Sequence, residues 1–534
     1  MNRRVDALEG LVRVKRFFTG LAVALLVVGV LFVTLRTQQW VTPASLINFV
    51  GGGQPNPAPA VVPSLREWHS GTGTFALGSG SRITVDSTFS AQLQPTAQVF
   101  QADLTAVTQR TLRIVVADAP QSGDFFLSLG SADQGLGSEG YTFTIGAAAI
   151  IRANTTTGVF YGTRTALQIL LQDAARTHLP RGAARDYPKY KERGFMLDVA
   201  RKFFSLSALE DYVRMMSWYK LNDFHLHFND NVVDAGKNAD WTHQYATFRL
   251  SSARFPGLAA KDGSYSQQDM RALQDMAEAH GVTITPEIDA PAHDLAITQY
   301  RPDLAIPGNS NKEFLDLSNP TTYTFMNSIW DEFLPWFDAK QVDIGADEYD
   351  TADPDNYRRF INTFDHYLSG KGKTVRMWGS LSQMKSTVAV NTDITLELWD
   401  NGAANPVDMD HQGFTIINAN DFLLYIVPHS TYFHDYLDLQ ALYAKWEPYI
   451  FDLNNPGGNL PSGDPRLLGG SFADWNDGTG ASISDADVYN RVKPAVPVVG
   501  DKLWSGATTG ASFDQFQHTV KAIGDAPGAL PAPH

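Results

Sequence analysis

The spacing of apolar residues changes near residue 186. Before it, four short stretches alternate between apolar and polar residues as half-buried strands do, at 82–85, 112–116, 140–145 and 149–153. The stretch 163–172 has the apolar spacing of a helix instead. Strands mixed with a helix predict a small α+β domain over residues 64–185.

After residue 186, short apolar strands alternate with helices. Eight strands are predicted, at 194–199, 223–228, 283–288, 342–344, 374–377, 394–398, 415–418 and 467–472. Eight strand–helix units over roughly 320 residues predict an α/β fold, a (β/α)8 TIM barrel that we place at residues 186–525. Residues 526–534 are rich in Pro and Ala and are expected to form a flexible tail.

The N-terminus carries the pattern of a membrane segment. Five Arg and Lys residues between positions 3 and 16 precede an uncharged apolar run at 17–35, which is long enough to approach the bilayer core of about 30 Å. We predict a cytoplasmic basic segment (1–16), a transmembrane signal anchor (17–35) and a Gly/Pro-rich linker (36–63). These would make a single-pass cell-membrane protein whose catalytic domain lies outside the cytoplasm. A cleaved signal peptide, which would make the protein secreted, is the alternative, although its apolar region is usually about 7–15 residues.

Composition excludes several classes of function. The formal net charge of −15 provides no basic surface for a nucleic acid, so no such partner is expected. The chain has no cysteine, which removes disulfides, thiolate metal sites and thiol nucleophiles. Composition does not indicate an oligomeric state.

Two adjacent carboxylates, Asp347 and Glu348, follow the fourth predicted strand after a Gly-Ala step. Small residues there let a ligand approach the backbone closely. Neighbouring acids repel each other, so we expect one to be charged and the other protonated near neutral pH, as a general acid requires. An isolated Asp-Glu pair is more often a solvated turn, and the other strand ends decide between the two interpretations.

Catalytic groups of a (β/α)8 barrel lie at the C-terminal ends of its strands. Polar residues and tryptophans follow nearly every predicted strand: Asp198 and Arg201, Asp230, Asp289 and His293, Trp378, Trp399, Asn418 and Tyr425, Trp475 and Asp477. A single Trp is more often core than ligand platform. Three at strand ends, beside carboxylates and an arginine, indicate a carbohydrate pocket with aromatic walls.

These residues, in this order, resemble glycoside hydrolase family 20, the β-N-acetylhexosaminidases. The matching pieces are RGFMLDVAR at 193–201, YKLNDFHLHFND at 219–230, PEIDAPAH at 286–293 and IGADE at 344–348. The segment 140–168 is similar to the family's small N-terminal domain. The resemblance implies a retaining exo-glycosidase for terminal β-linked N-acetylglucosamine or N-acetylgalactosamine, with no metal or organic cofactor.

The mechanism implied by the resemblance is substrate-assisted. The acetamide oxygen of the sugar attacks its anomeric carbon and forms an oxazolinium intermediate, so the configuration is retained. Glu348 would be the acid/base, Asp347 would orient the acetamide N–H, and Tyr425 would donate to the acetamide oxygen. Other implied contacts come from Arg193 and Asp477 to ring hydroxyls, from Trp378, Trp399 and Trp475 around the sugar, and from His293, with Asp230 or Glu287 behind it, to the acid/base.

The chain departs from the family pattern at the rim of the pocket. Val427 stands two residues after Tyr425, where the family usually has an acid, and Asp477 stands where glutamate is commoner. A loosened contact at the sugar's 4- and 6-hydroxyls leaves release of a disaccharide, as by the family's lacto-N-biosidases, as an alternative.

Two other classes stay open. His225 and His227 lie on one side of a strand and, with His293 and Asp347, offer ligands for a metal-dependent barrel hydrolase, although no further strand-end histidine completes the set. A catalytically inactive, membrane-tethered glycan-binding protein would tolerate the altered rim, but binding alone does not require a proton donor such as Glu348.

Overall fold

The computed structural model describes residues 53–232, 240–310, 312–506 and 510–529. The predicted membrane anchor at 17–35 and its basic flank at 1–16 lie outside these ranges. Within them, no helix combines the length and the apolar character needed to cross a bilayer.

The first folded unit is a mixed seven-stranded sheet in the order β1-β7-β5-β6-β4-β2-β3. Its strands are β1 Glu67–Ala76, β2 Arg82–Asp86, β3 Arg113–Ala117, β4 Phe125–Ser128, β5 Tyr141–Ile145, β6 Ala149–Ala153 and β7 His178–Asp186. Helices α1 (Ser90–Thr108) and α2 (Thr156–Gln172) pack against each other and against the sheet. The predicted small α+β domain is thereby confirmed.

The second unit is a closed ring of eight parallel strands, as predicted. The ring strands are β8 Glu192–Asp198, β9 Asp223–His227, β12 Thr283–Glu287, β13 Gln341–Asp343, β14 Thr374–Trp378, β15 Thr395–Leu398, β16 Thr415–Asn418 and β18 Leu467–Asp474. Pairing of β16 with β18 and of β18 with β8 closes the ring. Three short strands, β10 (Asn229–Asn231), β11 (Ala246–Phe248) and β17 (Tyr425–Ile426), lie beyond the strand ends.

Helices surround the ring less regularly than a repeated strand–helix unit requires. They are α3 Leu206–Trp218, α4 Gln267–Ala279, α5 Leu295–Tyr300, α6 Pro320–Phe333, α7 Pro354–Ser369, α8 Pro406–Gln412, α9 Asp421–Leu424, α10 Leu439–Lys445, α11 Asp485–Val492, α12 Ala495–Ser505 and α13 Phe513–Ile523. A loop without a helix joins β14 to β15. The eight units of the prediction are therefore eight strands with seven helical connections along the described chain.

A buried ion pair joins the small domain to the N-terminal end of the barrel. Arg193 is fully buried, and its guanidinium lies 2.5 Å from the carboxylate of Glu139, which precedes β5. Arg193 also donates to the carbonyl of Lys220 and lies over the ring of Trp504 at 5.2 Å. Because the cation has left water, its stability depends on this one carboxylate.

We predict that Glu139→Gln destabilises the protein by about 3 kcal/mol, because it leaves the Arg193 cation buried without its anion. Asp275→Asn is the control, because Asp275 pairs with Arg271 on the exposed side of α4 and such a pair contributes at most about 1 kcal/mol. Thermal unfolding of both variants measures the difference. Equal losses would contradict the proposed role of the buried pair.

Candidate active site

The C-terminal ends of the barrel strands enclose a polar pocket. Its lining residues are Arg201, His227, Asp230, Asp289, His293, Asp347, Glu348, Trp399, Tyr425, Val427, Phe433, Trp475 and Asp477. Eight of the ten site residues expected from the sequence are among them. Arg193 and Trp378 are the two that are not.

Backbone conformation aims the carboxylate pair into this pocket. Gly345, Ala346 and Glu348, directly after β13, all have positive φ, of 68°, 68° and 47°. Ala346 N–H donates to the Asp289 carboxylate at 3.0 Å, and Trp378 N–H donates to the carbonyl of Gly345 at 2.8 Å. Left-handed conformations at non-glycine residues are strained, and neighbouring contacts hold them in place.

The two acids meet different surroundings. The side chain of Asp347 is 13% exposed, and its Oδ1 is buried without a hydrogen-bond partner among the described residues. The side chain of Glu348 is 59% exposed. A buried, unsatisfied carboxylate oxygen that lines a pocket is ready to accept a hydrogen bond from a ligand N–H or O–H.

A histidine–aspartate pair stands behind the two acids. His293 Nδ1 lies 3.0 Å from Asp230 Oδ1, while its Nε2 lies 3.5 Å from Glu348 and 3.9 Å from Asp347. Of the two partners that the sequence left open for His293, the structure therefore selects Asp230. Glu287 lies deeper, where it accepts a hydrogen bond from Trp378 Nε1 at 2.8 Å.

Below about pH 6, the proton of the free acid pair lies on Asp347, which has the higher pKa of the two carboxyl groups. Burial raises the pKa of Asp347 to about 6. The interaction with His293 lowers the pKa of Glu348 below its ordinary value. This distribution is the reverse of the one that a catalytic Glu348 acid needs, so a ligand has to shift the proton.

Arg201, and not Arg193, reaches the pocket. Its guanidinium lies 2.7 Å from Asp230 and 2.9 Å from Asp477. Arg193 lies at the opposite end of the barrel, held by Glu139, so its assignment to the sugar pocket is wrong. The position along the strand could have decided between them, because Arg193 is the second residue of β8 whereas Arg201 follows the C-terminal end of β8.

Aromatic rings form the wall opposite His293. Tyr425 and Trp475 line the pocket with centroids 5.8 Å apart, and the half-buried Trp399 joins them. Trp378, expected to enclose the sugar, is 1% exposed and lies below this layer, 5.6 Å from Trp475. It supports the wall rather than forming it. Phe433 lines the same wall and was not foreseen from the sequence.

Carboxylates already face the histidines proposed as metal ligands. His227 has Asp230 at 2.8 Å from Nε2 and Glu287 at 2.8 Å from Nδ1. Burial and Arg376 oppose a charge on His225, but Glu287 and Glu397 outweigh them and raise its pKa to about 9. Each imidazole thus lies within ion-pair distance of carboxylates. The same groups also lie close enough together to hold a metal ion, so the metal-dependent alternative stays a hypothesis.

A larger cavity lies at the other end of the barrel, between it and the small domain. Residues of the turns before β8, β12 and β13, including Lys191, Val282 and Lys340, line it. No part of it reaches Asp347 or Glu348. Catalytic groups of this fold lie at the C-terminal strand ends, so the smaller pocket is the candidate active site.

An acid pair and an aromatic wall at the strand ends of a barrel are the groups expected of a glycoside hydrolase. Residues 190–506, more than half of the chain, match the catalytic domain of glycosyl hydrolase family 20, and residues 58–187 match domain 2 of that family. The chain belongs to glycosyl hydrolase family 20.

Relatives agree with this membership. The chain is 26% identical to a lacto-N-biosidase of Bifidobacterium bifidum over 87% of this chain and 42% of that protein. It is 24% identical to human β-hexosaminidase subunit beta over 79% of this chain and 75% of that protein. Among solved structures, a family 20 β-N-acetylhexosaminidase of Streptomyces coelicolor A3(2) shares the fold with a TM-score of 0.72 at 20% identity, covering 88% of this chain and 96% of that one.

We predict that Gly345→Ala disrupts the site, because an added Cβ would lie 1.7 Å from Asp289 Oδ1 and 2.7 Å from its Cα. The control is Gly372→Ala, which has a similar positive φ of 83° but open space around the new methyl group. The control is expected to lose about 1 kcal/mol from backbone strain. Gly345→Ala should lose about 1–3 kcal/mol more from the overlap, measured by thermal unfolding. The same loss in both variants would refute the steric explanation.

Proposed function

We propose that the protein hydrolyses the β-glycosidic bond of a terminal N-acetylhexosamine, either N-acetylglucosamine or N-acetylgalactosamine, with retention of configuration. The observation that carries the proposal is the pairing of an unsatisfied, pocket-lining Asp347 Oδ1 with the exposed Glu348 carboxylate. One anion is placed to hold an acetamide N–H, and its neighbour is placed to exchange a proton with a leaving group. The β-hexosaminidase relatives support the same substrate class.

In the first step the acetamide oxygen of the substrate bonds to the anomeric carbon while the glycosidic bond breaks. Glu348 gives its proton to the departing oxygen. Asp347 accepts a hydrogen bond from the acetamide N–H and stabilises the positive charge that develops on the oxazolinium ring. Tyr425, whose pKa burial and the nearby Asp347 raise well above its usual range, stays a hydrogen-bond donor for the acetamide oxygen.

In the second step water attacks the anomeric carbon and reopens the ring. Glu348, now a carboxylate, takes a proton from the water, and the acetamide is regenerated. Two inversions at one carbon give net retention. His293 and Asp230 hold Glu348 through both steps, because the imidazole lies between the two carboxylates.

Substrate binding explains how the proton reaches Glu348. A hydrogen bond from the acetamide N–H to Asp347 favours the ionised form of Asp347. The leaving group covers the exposed Glu348 and favours its neutral form. Below about pH 6, where Asp347 is protonated in the free site, the pair carries one proton before and after binding. Only its position changes.

Release of a disaccharide is the second candidate. Two apolar residues on the pocket wall, Val427 and Phe433, favour it. Neither side chain is charged, so neither can hold a sugar hydroxyl. The similarity to a lacto-N-biosidase also supports it, although this chain spans 42% of that protein.

For the location of the protein, we propose that residues 17–35 anchor it in the membrane with the barrel outside the cytoplasm. The charge pattern of residues 1–35 supports this proposal.

We predict that Glu348→Gln lowers kcat on chitobiose roughly 10²–10⁴-fold, because its leaving sugar needs a proton. The loss should be much smaller on a 2,4-dinitrophenyl N-acetyl-β-glucosaminide, whose leaving group departs as an anion. Asp347→Asn should be severely impaired on both substrates, because the acetamide loses its orienting anion in either case. Steady-state kinetics on the two substrates measure this difference.

Normal turnover by either variant would refute the assigned roles. A wild-type chain that binds N-acetylglucosamine but hydrolyses neither substrate would favour the inactive glycan-binding protein. An anomeric product of inverted configuration, read by NMR during hydrolysis, would exclude the substrate-assisted mechanism.

We predict that kcat/KM is high below about pH 6 and falls about tenfold per pH unit above it. The productive pair carries one proton, burial raises the pKa of Asp347 to about 6, and the proton is lost as the pH rises through that value. Asp421→Asn is a matched control, because burial raises the pKa of Asp421 to about 6 as well, yet Asp421 does not line the pocket. A pH profile that is flat to pH 8, or one that moves in the control variant, would contradict the assignment.

A further inference from the structure

Exposed aromatic side chains are concentrated beside the pocket. Among the described residues, four large apolar side chains are at least half exposed, and three of them are Phe422, Tyr432 and Tyr436, at 64%, 73% and 50%. The other is Val116 in the small domain. Large apolar groups left in water in one place mark a binding surface.

The segment that carries these rings is ordered by its own hydrogen bonds. Val427 N–H donates to the carbonyl of His434 at 2.8 Å, and the hydroxyl of Ser430 accepts from the backbone N–H of Tyr432 and of Phe433. Asp435 pairs with Arg491 at 2.7 Å. The hydrogen bonds of the segment therefore hold Tyr432 in its exposed position.

Two of the exposed rings already have partners. The guanidinium of Arg491 lies over Tyr436 at 5.0 Å, and Phe422 meets the edge of His434 at 6.5 Å. Tyr432 contacts Phe433 edge to face at 4.7 Å and 87°. Phe433 in turn lies 6.1 Å from Tyr425 and lines the pocket. A continuous row of rings thus runs from Tyr425 on the pocket wall to Tyr432, the most exposed of these aromatic side chains.

This row lies on the far side of the pocket from the acid/base residue. Glu348 follows β13, the fourth strand of the ring, and β18, the eighth strand, lies diametrically opposite. The row begins at β17, which pairs with β18. In the proposed binding mode, with the glycosidic oxygen at Glu348, the opposite, non-reducing side of the sugar points towards the wall that carries Phe433 and Tyr432.

The part of the wall that follows β17 offers few groups for the hydroxyls of a terminal sugar. Val427 and Phe433 offer no side-chain hydrogen bond, and Asp477 is held by Arg201 at 2.9 Å. A hydroxyl that is substituted by another sugar needs no such partner, whereas a free one would lose its water without replacement. Aromatic faces suit the apolar face of a neutral pyranose ring.

We propose that Phe433 and Tyr432 form a second sugar subsite, which binds a neutral hexopyranose attached to the non-reducing side of the N-acetylhexosamine, so that the enzyme releases the two sugars as a disaccharide. This inference rests on the proposed function, since the N-acetylhexosamine in the pocket is still the residue whose bond is cleaved. It adds a named aromatic surface that selects the longer substrate.

The test compares two kinds of 4-nitrophenyl β-glycoside with the full-length chain. One kind carries N-acetylglucosamine alone, and the other carries β-1,3- or β-1,4-galactosyl-N-acetylglucosamine. Wild type is expected to release nitrophenol from at least one disaccharide glycoside without a prior galactosidase. Tyr432→Ala should lower kcat/KM on that glycoside about tenfold, mainly through KM, and change the monosaccharide glycoside by less than about twofold. Because Tyr432 is largely exposed, its loss does not threaten the fold.

Matched variants separate stacking from other effects. Tyr432→Phe retains the ring and should keep the disaccharide activity. Tyr436→Ala removes an equivalent exposed tyrosine of the same segment and should change neither substrate. An equal loss on both substrates in Tyr432→Ala, or no loss on the disaccharide, overturns the subsite.

The outcomes also separate this inference from the proposed function. If wild type cleaves the monosaccharide glycoside and neither disaccharide glycoside, the subsite is refuted while the proposed function stands. If it cleaves none of the three, the proposed function itself fails.

Discussion

A buried arginine at the centre of the barrel makes the polar interior of this fold possible. Arg376 is fully buried, and its guanidinium lies 3.0 Å from Asp343, 2.9 Å from Asp223 and 3.5 Å from Glu397. Carboxylates removed from water are costly unless a cation faces them, and one guanidinium serves three strands of the ring here. The barrel therefore has a charged centre, and ion pairs with it fix the positions and charges of the side chains above it.

A chain of alternating carboxylates and imidazoles links this centre to Asp347 and Glu348. His227 stands between Glu287 and Asp230, and Asp230 stands between His227 and His293. Against the effect of burial, the carboxylates on either side of each imidazole raise its pKa and favour its protonated form. Each carboxylate is in turn held by the next imidazole. His293, the last member, faces Glu348 at 3.5 Å. Glu348 is thus positioned by groups whose rotation would leave a buried charge without its partner. Its own side chain stays free enough to meet a leaving group.

Sequence reasoning predicted what depends on local pattern and missed what depends on contacts. The eight ring strands were predictable because each is a short, mostly apolar run separated from the next by a helix or a loop. Asp347 and Glu348 were found because they follow one of those runs. Strand β7 was missed because it contains Pro180 and Gly182, which argue against a strand. In the structure β7 pairs with β1, and the ring of Trp68 lies where a side chain at position 182 would be. Trp378 looked like a pocket wall because its position in the chain does not reveal that its indole N–H is engaged by Glu287 from below. The choice between Arg193 and Arg201 needed only the direction of the strand.

The two halves of the pocket are built in different ways, and this separates the chemistry from the choice of substrate. The wall of β9, β12 and β13 consists of charged side chains whose positions are set by partners inside the barrel, so a change at Asp230 or His293 disturbs buried charges over several strands. The wall after β17 consists of apolar side chains on a segment held by its own backbone hydrogen bonds, with Val427 and Phe433 facing the pocket. Under the proposed function, this second wall bears on which sugars the pocket accepts, whereas the first bears on the acid pair. A chain with the family's catalytic groups can therefore differ from its relatives in the sugars it binds.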